Sequence, residues 1–193
     1  MNTMQDPDTA GNHLAARLRA EREARGWSIL DLAARSGVSR AMISKVERNE
    51  ASPTAALLGR LSGAFGLTLS TLLARSETDA TGDGRVVRAA QQTRWTDPET
   101  GYVRRAVSPA GATPELVQVE LPPGARIDFP KSAFTFLRGQ CVWVLSGALE
   151  FVEGALTHQL RRGDCLALGP PSDCSFVNPS RATPCVYLVA LTR

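Results

Sequence analysis

No stretch of this 193-residue sequence has the length and apolar content of a membrane span or signal peptide, the opening MNTMQDPDTAGNH included. The expectation is therefore a cytoplasmic chain with no membrane partner. Cysteine is scarce: Cys141, Cys165, Cys174 and Cys185 all fall in the second half, and none forms a C-x-x-C pair. That excludes the usual structural zinc spacing, and in a reducing compartment such thiols are expected to be buried and structural. Histidine is scarcer still, and His158 is the only one in the second half. Charge of one sign is also lacking: a net +3 says little about partners by itself.

What is present is ordinary for a globular chain, with 43% apolar and 21% charged residues, and long enough for one large domain or two small ones. The charge is unevenly placed. From His13 to Arg75 there are ten Lys and Arg against five Asp and Glu, whereas from Glu77 onward the signs balance. A basic surplus confined to one region suits a phosphate-binding surface, although a solvated helical face would look the same.

That basic region contains Ser28 to Arg48, SILDLAARSGVSRAMISKVER, which reads as two short helices and a tight turn. Ser28 followed by Asp31 is a capping-box pattern, with Ile29, Leu32 and Ala33 forming an apolar face. Gly37 suits the left-handed residue that ends a helix, Val38 plugs the corner, and Ser39 caps the second helix. Ile43 and Val46 then face inward while Arg40, Ala41, Ser44, Lys45 and Arg48 face out. This is a helix-turn-helix pattern, the arrangement that lays its second helix in the major groove of DNA. Around it, residues 1–12 lack periodicity and read as a disordered tail. His13–Arg25 reads as a helix with Arg17, Arg19, Arg22 and Arg25 on its surface, and Trp27 as a core residue beside it. Ser52-Pro53 reads as the start of a fourth helix, with serine as cap and proline at the first helical position, carrying Leu57, Leu58, Leu61 and Phe65, and Leu67–Ala74 as a fifth.

Residues 13–75, with RLRAEREARGWS, LAARSGVSRAMISKVER and SPTAALLGRLSGAFGLTLSTLL, closely resemble the DNA-binding domain of the XRE family of phage-repressor-like regulators. Glu21 departs from the pattern, since the family often has leucine there. By position, the resemblance implies base-edge contacts from Arg40, Ala41 and Lys45, and phosphate contacts from Ser28, Ser39, Ser44, Arg48 and Asn49. The chemistry agrees: Arg and Lys donate to guanine, alanine meets a thymine methyl, and hydroxyls suit phosphate oxygens.

Residues 76–85 are small, polar and charged, a linker. From Val86 the pattern changes to short β segments: Val86-Val87, Tyr102-Val103, Leu116–Leu121, Gln140–Leu145 and Ala148–Glu153 as a hairpin about Ser146-Gly147, then Leu156–Leu160, Cys165–Leu168, Ser175–Val177 and Cys185–Leu191. Many short strands between turn residues predict an all-β barrel or sandwich. Through PPGARIDF, QCVWVLSGALEF and LRRGDCLALGPPSDCSFVNP, residues 110–193 resemble the cupin jelly roll, which would complete a two-domain chain: five helices, 13–75, then a β barrel, 86–193.

The family's metal motif, G-x5-H-x-H-x3-4-E-x6-G, is missing. Counting back from Gly147 puts Gln140 at the glutamate and Phe134 and Phe136, or Ala133 and Thr135, at the histidines. Counting back from Asn178 puts Cys174 at the last ligand. No metal and no cofactor is expected of that set. His158 alternates with Leu156 and Leu160 and reads as an exposed strand residue. If the family's inward positions carry over, Phe134, Phe136, Gln140, Val142, Cys174 and Phe176 line the barrel mouth, either as a ligand pocket or as filled core. Trp143 then faces away, toward another sheet or subunit. The combination resembles a bacterial one-component transcription regulator: a non-enzymatic homodimer on a double-stranded DNA operator, controlled by a small-molecule effector. The alternatives are a metal-dependent oxidative enzyme, which the missing ligands disfavour, and a thiol redox regulator using Cys174 with Cys165 or Cys141.

Overall fold

The computed structural model describes residues 7–73 and 85–193. Five helices come first: α1 (Pro7–Ala24), α2 (Ile29–Ser36), α3 (Arg40–Glu47), α4 (Ala55–Phe65) and α5 (Leu69–Leu73). Residues 7–12, expected to be disordered, belong to α1; proline suits a first helical position, where a missing N–H leaves no bond unmade. Leu14, Leu18, Leu32, Ile43, Val46, Leu58 and Leu61 form the buried centre of this bundle. The linker expected over 76–85 lies, apart from Arg85, outside the described residues.

The β domain has ten antiparallel strands: β1 (Arg94–Thr96), β2 (Val103–Ala106), β3 (Glu115–Leu121), β4 (Arg126–Phe129), β5 (Gly139–Ser146), β6 (Ala148–Glu153), β7 (Leu156–Arg161), β8 (Cys165–Ala167), β9 (Cys174–Val177) and β10 (Cys185–Thr192). They form a six-stranded sheet, β1-β2-β3-β10-β5-β8, facing a four-stranded one, β4-β9-β6-β7. Alternation drives the packing. Along β10, Cys185, Tyr187, Val189 and Leu191 are buried and the residues between them half-buried. Period-two burial of this kind is what a strand with one core face requires. The two-sheet jelly roll is thus the fold expected from the sequence.

Three local expectations fail. Val86-Val87 is not a strand. β5 and β6 do not pair as a hairpin: the chain crosses at Gly147 from one sheet to the other, β5 pairing with β10 and β8, and β6 with β7 and β9. Gly147 has φ 78°, and a Cβ there would lie 2.7 Å from the Pro184 carbonyl oxygen, so the crossing needs glycine twice over. Third, Ser52 does not cap α4. Thr54 does, accepting from the Leu57 N–H at 3.3 Å.

A second cap on α4 comes from the β domain. The side chain of Asp97, 2% exposed, accepts the Ala55 N–H through Oδ2 while Oδ1 accepts the Glu99 and Thr100 N–H groups at 2.8 and 2.9 Å. Acidic oxygens at a helix start satisfy orphan donors and suit the helix dipole. Farther along α4, a Cβ on Gly59 would meet Phe129 at 2.8 Å, and one on Gly63 would overlap the Ser132 carbonyl. Thr68 donates to Glu115, and Arg104 Nε to Ser70 Oγ at 3.3 Å. The helical bundle therefore sits on the barrel through α4 and the turn into α5.

Candidate nucleic-acid interface

The helix pair forms as its sequence dictates. Ser28 and Asp31 make a complete capping box: Ser28 Oγ accepts the Asp31 N–H at 3.1 Å, and Asp31 Oδ2 accepts the Ser28 N–H at 2.8 Å and its hydroxyl at 2.7 Å. Those bonds from Ser28 hold the Asp31 carboxyl below its ordinary pKa. Gly37 ends α2 at φ 68°, and its N–H donates to the Ala33 carbonyl. Ser39 accepts the Met42 N–H at 3.2 Å to start α3. Ile43 and Val46 turn inward, 1% and 2% exposed.

Arg40, Ala41 and Lys45 stand exposed on the outer face of α3, and neither cation makes a hydrogen bond or ion pair among the described residues. Exposed cations without intramolecular partners leave the face's hydrogen-bonding capacity for a ligand. The expected phosphate contacts fare differently. The hydroxyls of Ser28 and Ser39 are already used as caps, so both residues are exposed but committed. Arg48 donates to Glu50 at 2.6 and 2.8 Å and to Ser44 Oγ at 2.5 Å, so Ser44 and Arg48 form one exposed cluster with an acid. The Arg48 bond holds the Glu50 carboxyl below its ordinary pKa, with the Lys45 charge a smaller contribution. Asn49 takes φ 57°, the left-handed conformation that asparagine tolerates better than most residues, and so turns the chain off α3.

The sequence reading missed what holds α3 from behind. Arg22, expected on the surface, is 11% exposed in its side chain and grips Glu47, 7% exposed, at 2.7 and 2.8 Å, while Nη1 donates to the Trp27 carbonyl at 2.9 Å. Bidentate pairing with the carboxylate raises the Arg22 pKa further. Arg25, also expected outside, donates to the Phe65 carbonyl at 2.9 Å and lies over the Phe65 ring. Trp27 stacks on Phe65 with centroids 5.8 Å apart and takes Arg35 on its ring at 4.4 Å. Glu21, the departure from the family pattern, pairs with Arg17 and Arg25 at 2.7 and 2.6 Å. A spacing of four residues signalled the Glu21 pairs; Arg22 and Glu47, 25 apart, gave no local signal.

In the barrel, Phe134, Gln140 and Cys174 line a cleft of about 310 Å³ at one mouth. Phe134 and Gln140 also line, with Phe136 and Phe176, a cavity of about 40 Å³ beneath α4 and α5. Val142 lines neither: it is fully buried in the sheet interface, because β5 turns it into the core. Two phenylalanines, an amide and a thiol do not make a donor set for the metal that cupins hold. Burial pushes the Cys174 thiol up to about 12, with Glu153, Asp173 and Asp128 adding to it, so the reactive thiolate is suppressed. Cys141 and Cys165, expected to be buried, are exposed on the outer face of the six-stranded sheet beside Trp143, which is 46% exposed. His158 is not free on its strand either; its Nε2 is 3.0 Å from Glu153 Oε1, and its ring stacks on Phe151. Among the described residues no helix is long and apolar enough to cross a membrane.

A self-capped helix pair presenting cations that make no hydrogen bond or ion pair among the described residues, carried on a two-sheet jelly roll, defines the class: a helix-turn-helix protein with a jelly-roll C-terminal domain. Residues 18–72 match the family model described as helix-turn-helix, which bears out an XRE-type DNA-binding domain in this part of the chain. Over 60 residues the chain is 42% identical to the HTH-type transcriptional regulator SutR of Escherichia coli (strain K12), a match covering 31% of this chain and 34% of SutR. The chain thus spans about a third of the curated relative it matches. Among solved structures, an HTH_3 family transcriptional regulator from Vibrio cholerae superposes over 96% of this chain and 97% of its own at a TM-score of 0.76 and 18% identity, which shows a common fold. Hydroxypropylphosphonic acid epoxidase from S. wedmorenis covers 96% and 99% at a TM-score of 0.46 and 16% identity, a likeness too slight to bear on chemistry.

Proposed function

We propose that the chain is a sequence-specific DNA-binding transcriptional regulator that acts as a homodimer, with a barrel that senses a small molecule and performs no catalysis. The observation that carries this is the contrast across α3. Its inner face is locked by Ile43, Val46 and the Arg22–Glu47 pair, while Arg40 and Lys45 on its outer face make no hydrogen bond or ion pair among the described residues. A rigid helix with unpaired cations is suited to guanine O6 and N7 in the major groove. One helix of eight residues reads few base pairs, so two copies on half-sites a helical turn apart give the needed discrimination. The exposed sheet face around Trp143 is the surface we assign to pairing.

The test is operator binding by the double variant Arg40→Ala, Lys45→Ala, on fragments selected from genomic DNA by the unmodified protein. Loss of a base contact lowers specific affinity by about 1–3 kcal/mol and relaxes sequence choice. Unchanged affinity and selectivity in a folded double variant would rule out α3 as the reading helix.

A further inference from the structure

Arg104 carries a charge that the fold does not neutralise. Its Nε donates to Ser70 Oγ and its Nη1 to Tyr102 Oη at 3.1 Å, and it forms no ion pair among the described residues. It lies on the wall of the 40 Å³ cavity between the barrel and the α4–α5 turn, together with Tyr102, Gln140 and Tyr187. Tyr187 is 1% exposed, and its ring stacks on Phe176 at 5.6 Å and an interplanar angle of 4°. Its hydroxyl makes no hydrogen bond among the described residues. Burial raises its pKa well above the ordinary phenol value, so at neutral pH it is a neutral O–H donor. Standing on the cavity wall without a partner, this O–H has its donor free for whatever occupies the cavity.

These groups have one chemical sense. Tyr102 Oη accepts from Arg104, which leaves its own proton to donate; Tyr187 has a proton to donate; Arg104 supplies one positive charge. The cavity has room for about three waters, the size of one carboxylate group. A single cation balances a monoanion and leaves a phosphate dianion under-compensated. We propose that this cavity binds the carboxylate of a small organic acid, held by Arg104, Tyr102 and Tyr187. The acid's body extends past Gln140, which also lines the outer cleft. The inference rests on reading the barrel as the sensing domain. It adds the ligand's class, and it adds a route to the reader, because Gly59 and Ser62 of α4 form part of the cavity wall. An acid that favours one seating of α4 over another would shift the reader's position by that difference in affinity.

The test is calorimetric titration of the full chain with acetate, benzoate and phenylacetate, against phenylacetamide and inorganic phosphate. At least one carboxylate is expected to bind stoichiometrically, with the amide and phosphate weaker by about tenfold or more, the loss of a charge-assisted bond. Arg104→Gln and Tyr187→Phe should each weaken the acid by a similar factor. Tyr187→Phe keeps the stacked ring and so decides the matter if Arg104→Gln fails to fold. Equal binding of acid and amide, acid binding indifferent to Tyr187→Phe, or no binding of any of the three acids at millimolar concentration would each overturn the site. DNA binding is measured separately without acid. Its loss with acid binding intact defeats the regulator reading alone, and the reverse outcome defeats this site alone.

Discussion

Two faces of the helical domain are built on opposite plans. The α3 face is completed by the helical domain's own residues: Ser39 caps it, Arg22 and Glu47 brace it from behind, and Arg40 and Lys45 make no hydrogen bond or ion pair among the described residues. The α4 face is completed by the barrel: Asp97 caps its first turn, and Gly59 and Gly63 remove the side chains that would hold Phe129 and Ser132 away. One face stands exposed, the other is covered by the barrel. Surface substitutions on α3 should therefore alter binding and leave stability alone, whereas substitutions on α4 or its contacts should do the reverse.

The largest effect is expected behind α3. Glu47→Ala leaves Arg22 half-buried without its carboxylate, and breaking such a pair from one side costs about 3–5 kcal/mol. Urea denaturation checks it. A loss as small as that of an exposed pair would mean α3 is not braced through Arg22. Next comes the barrel seat: Gly63→Ala pushes a methyl into the Ser132 carbonyl, an overpacking strain of about 1–3 kcal/mol. Its signature is a lower urea midpoint together with faster limited proteolysis. A variant as stable and protease-resistant as the parent would mean α4 is not seated on that segment.

Asp97→Ala removes the cap that crosses from one domain to the other, at an expected cost of about 0.5–2 kcal/mol. Thr54→Ala is the comparison, since Thr54 caps the same helix from within. If only Thr54 matters, the helix start is a local affair and the barrel merely lies near it.

The legible parts of this molecule are those whose partners are close in sequence. Ser28 with Asp31, Gly37, Ser39, and the alternation of β10 could all be read within a few residues, and the fold followed from them. Arg22 with Glu47, and Ala55 with Asp97, are separated by 25 and 42 residues, and no local period connects them. The same limit explains the barrel. Counting motif spacings puts Phe134, Gln140 and Cys174 at the mouth; Val142 shares the inward side of β5 with Gln140 but is filled core, because depth within the barrel is set by how the two sheets close over β5. Arg104, Tyr102 and Tyr187 share no motif in the sequence, since their convergence exists only once β2, β10 and α5 have assembled.

The smallest effect on stability should come from Glu50→Gln, and it bears most directly on the free face. Arg48 and Glu50 are 57% and 51% exposed, and well-solvated pairs of this kind contribute little to folding. Glu50 nevertheless occupies the guanidinium that the resemblance assigns to phosphate, and its negative charge lies beside Lys45. On the proposed reading, a DNA phosphate would have to displace Glu50 from Arg48 and would meet its repulsion. Glu50→Gln is therefore expected to leave the urea midpoint unchanged and to raise DNA affinity a few-fold at low salt. The gain should fade as salt screens the exposed charges. It should extend equally to specific and nonspecific DNA, because phosphate contacts carry no base information. A gain confined to one sequence would move Arg48 from the phosphates to the bases, and a loss of affinity would make Glu50 a part of the interface that orients Arg48 rather than its competitor.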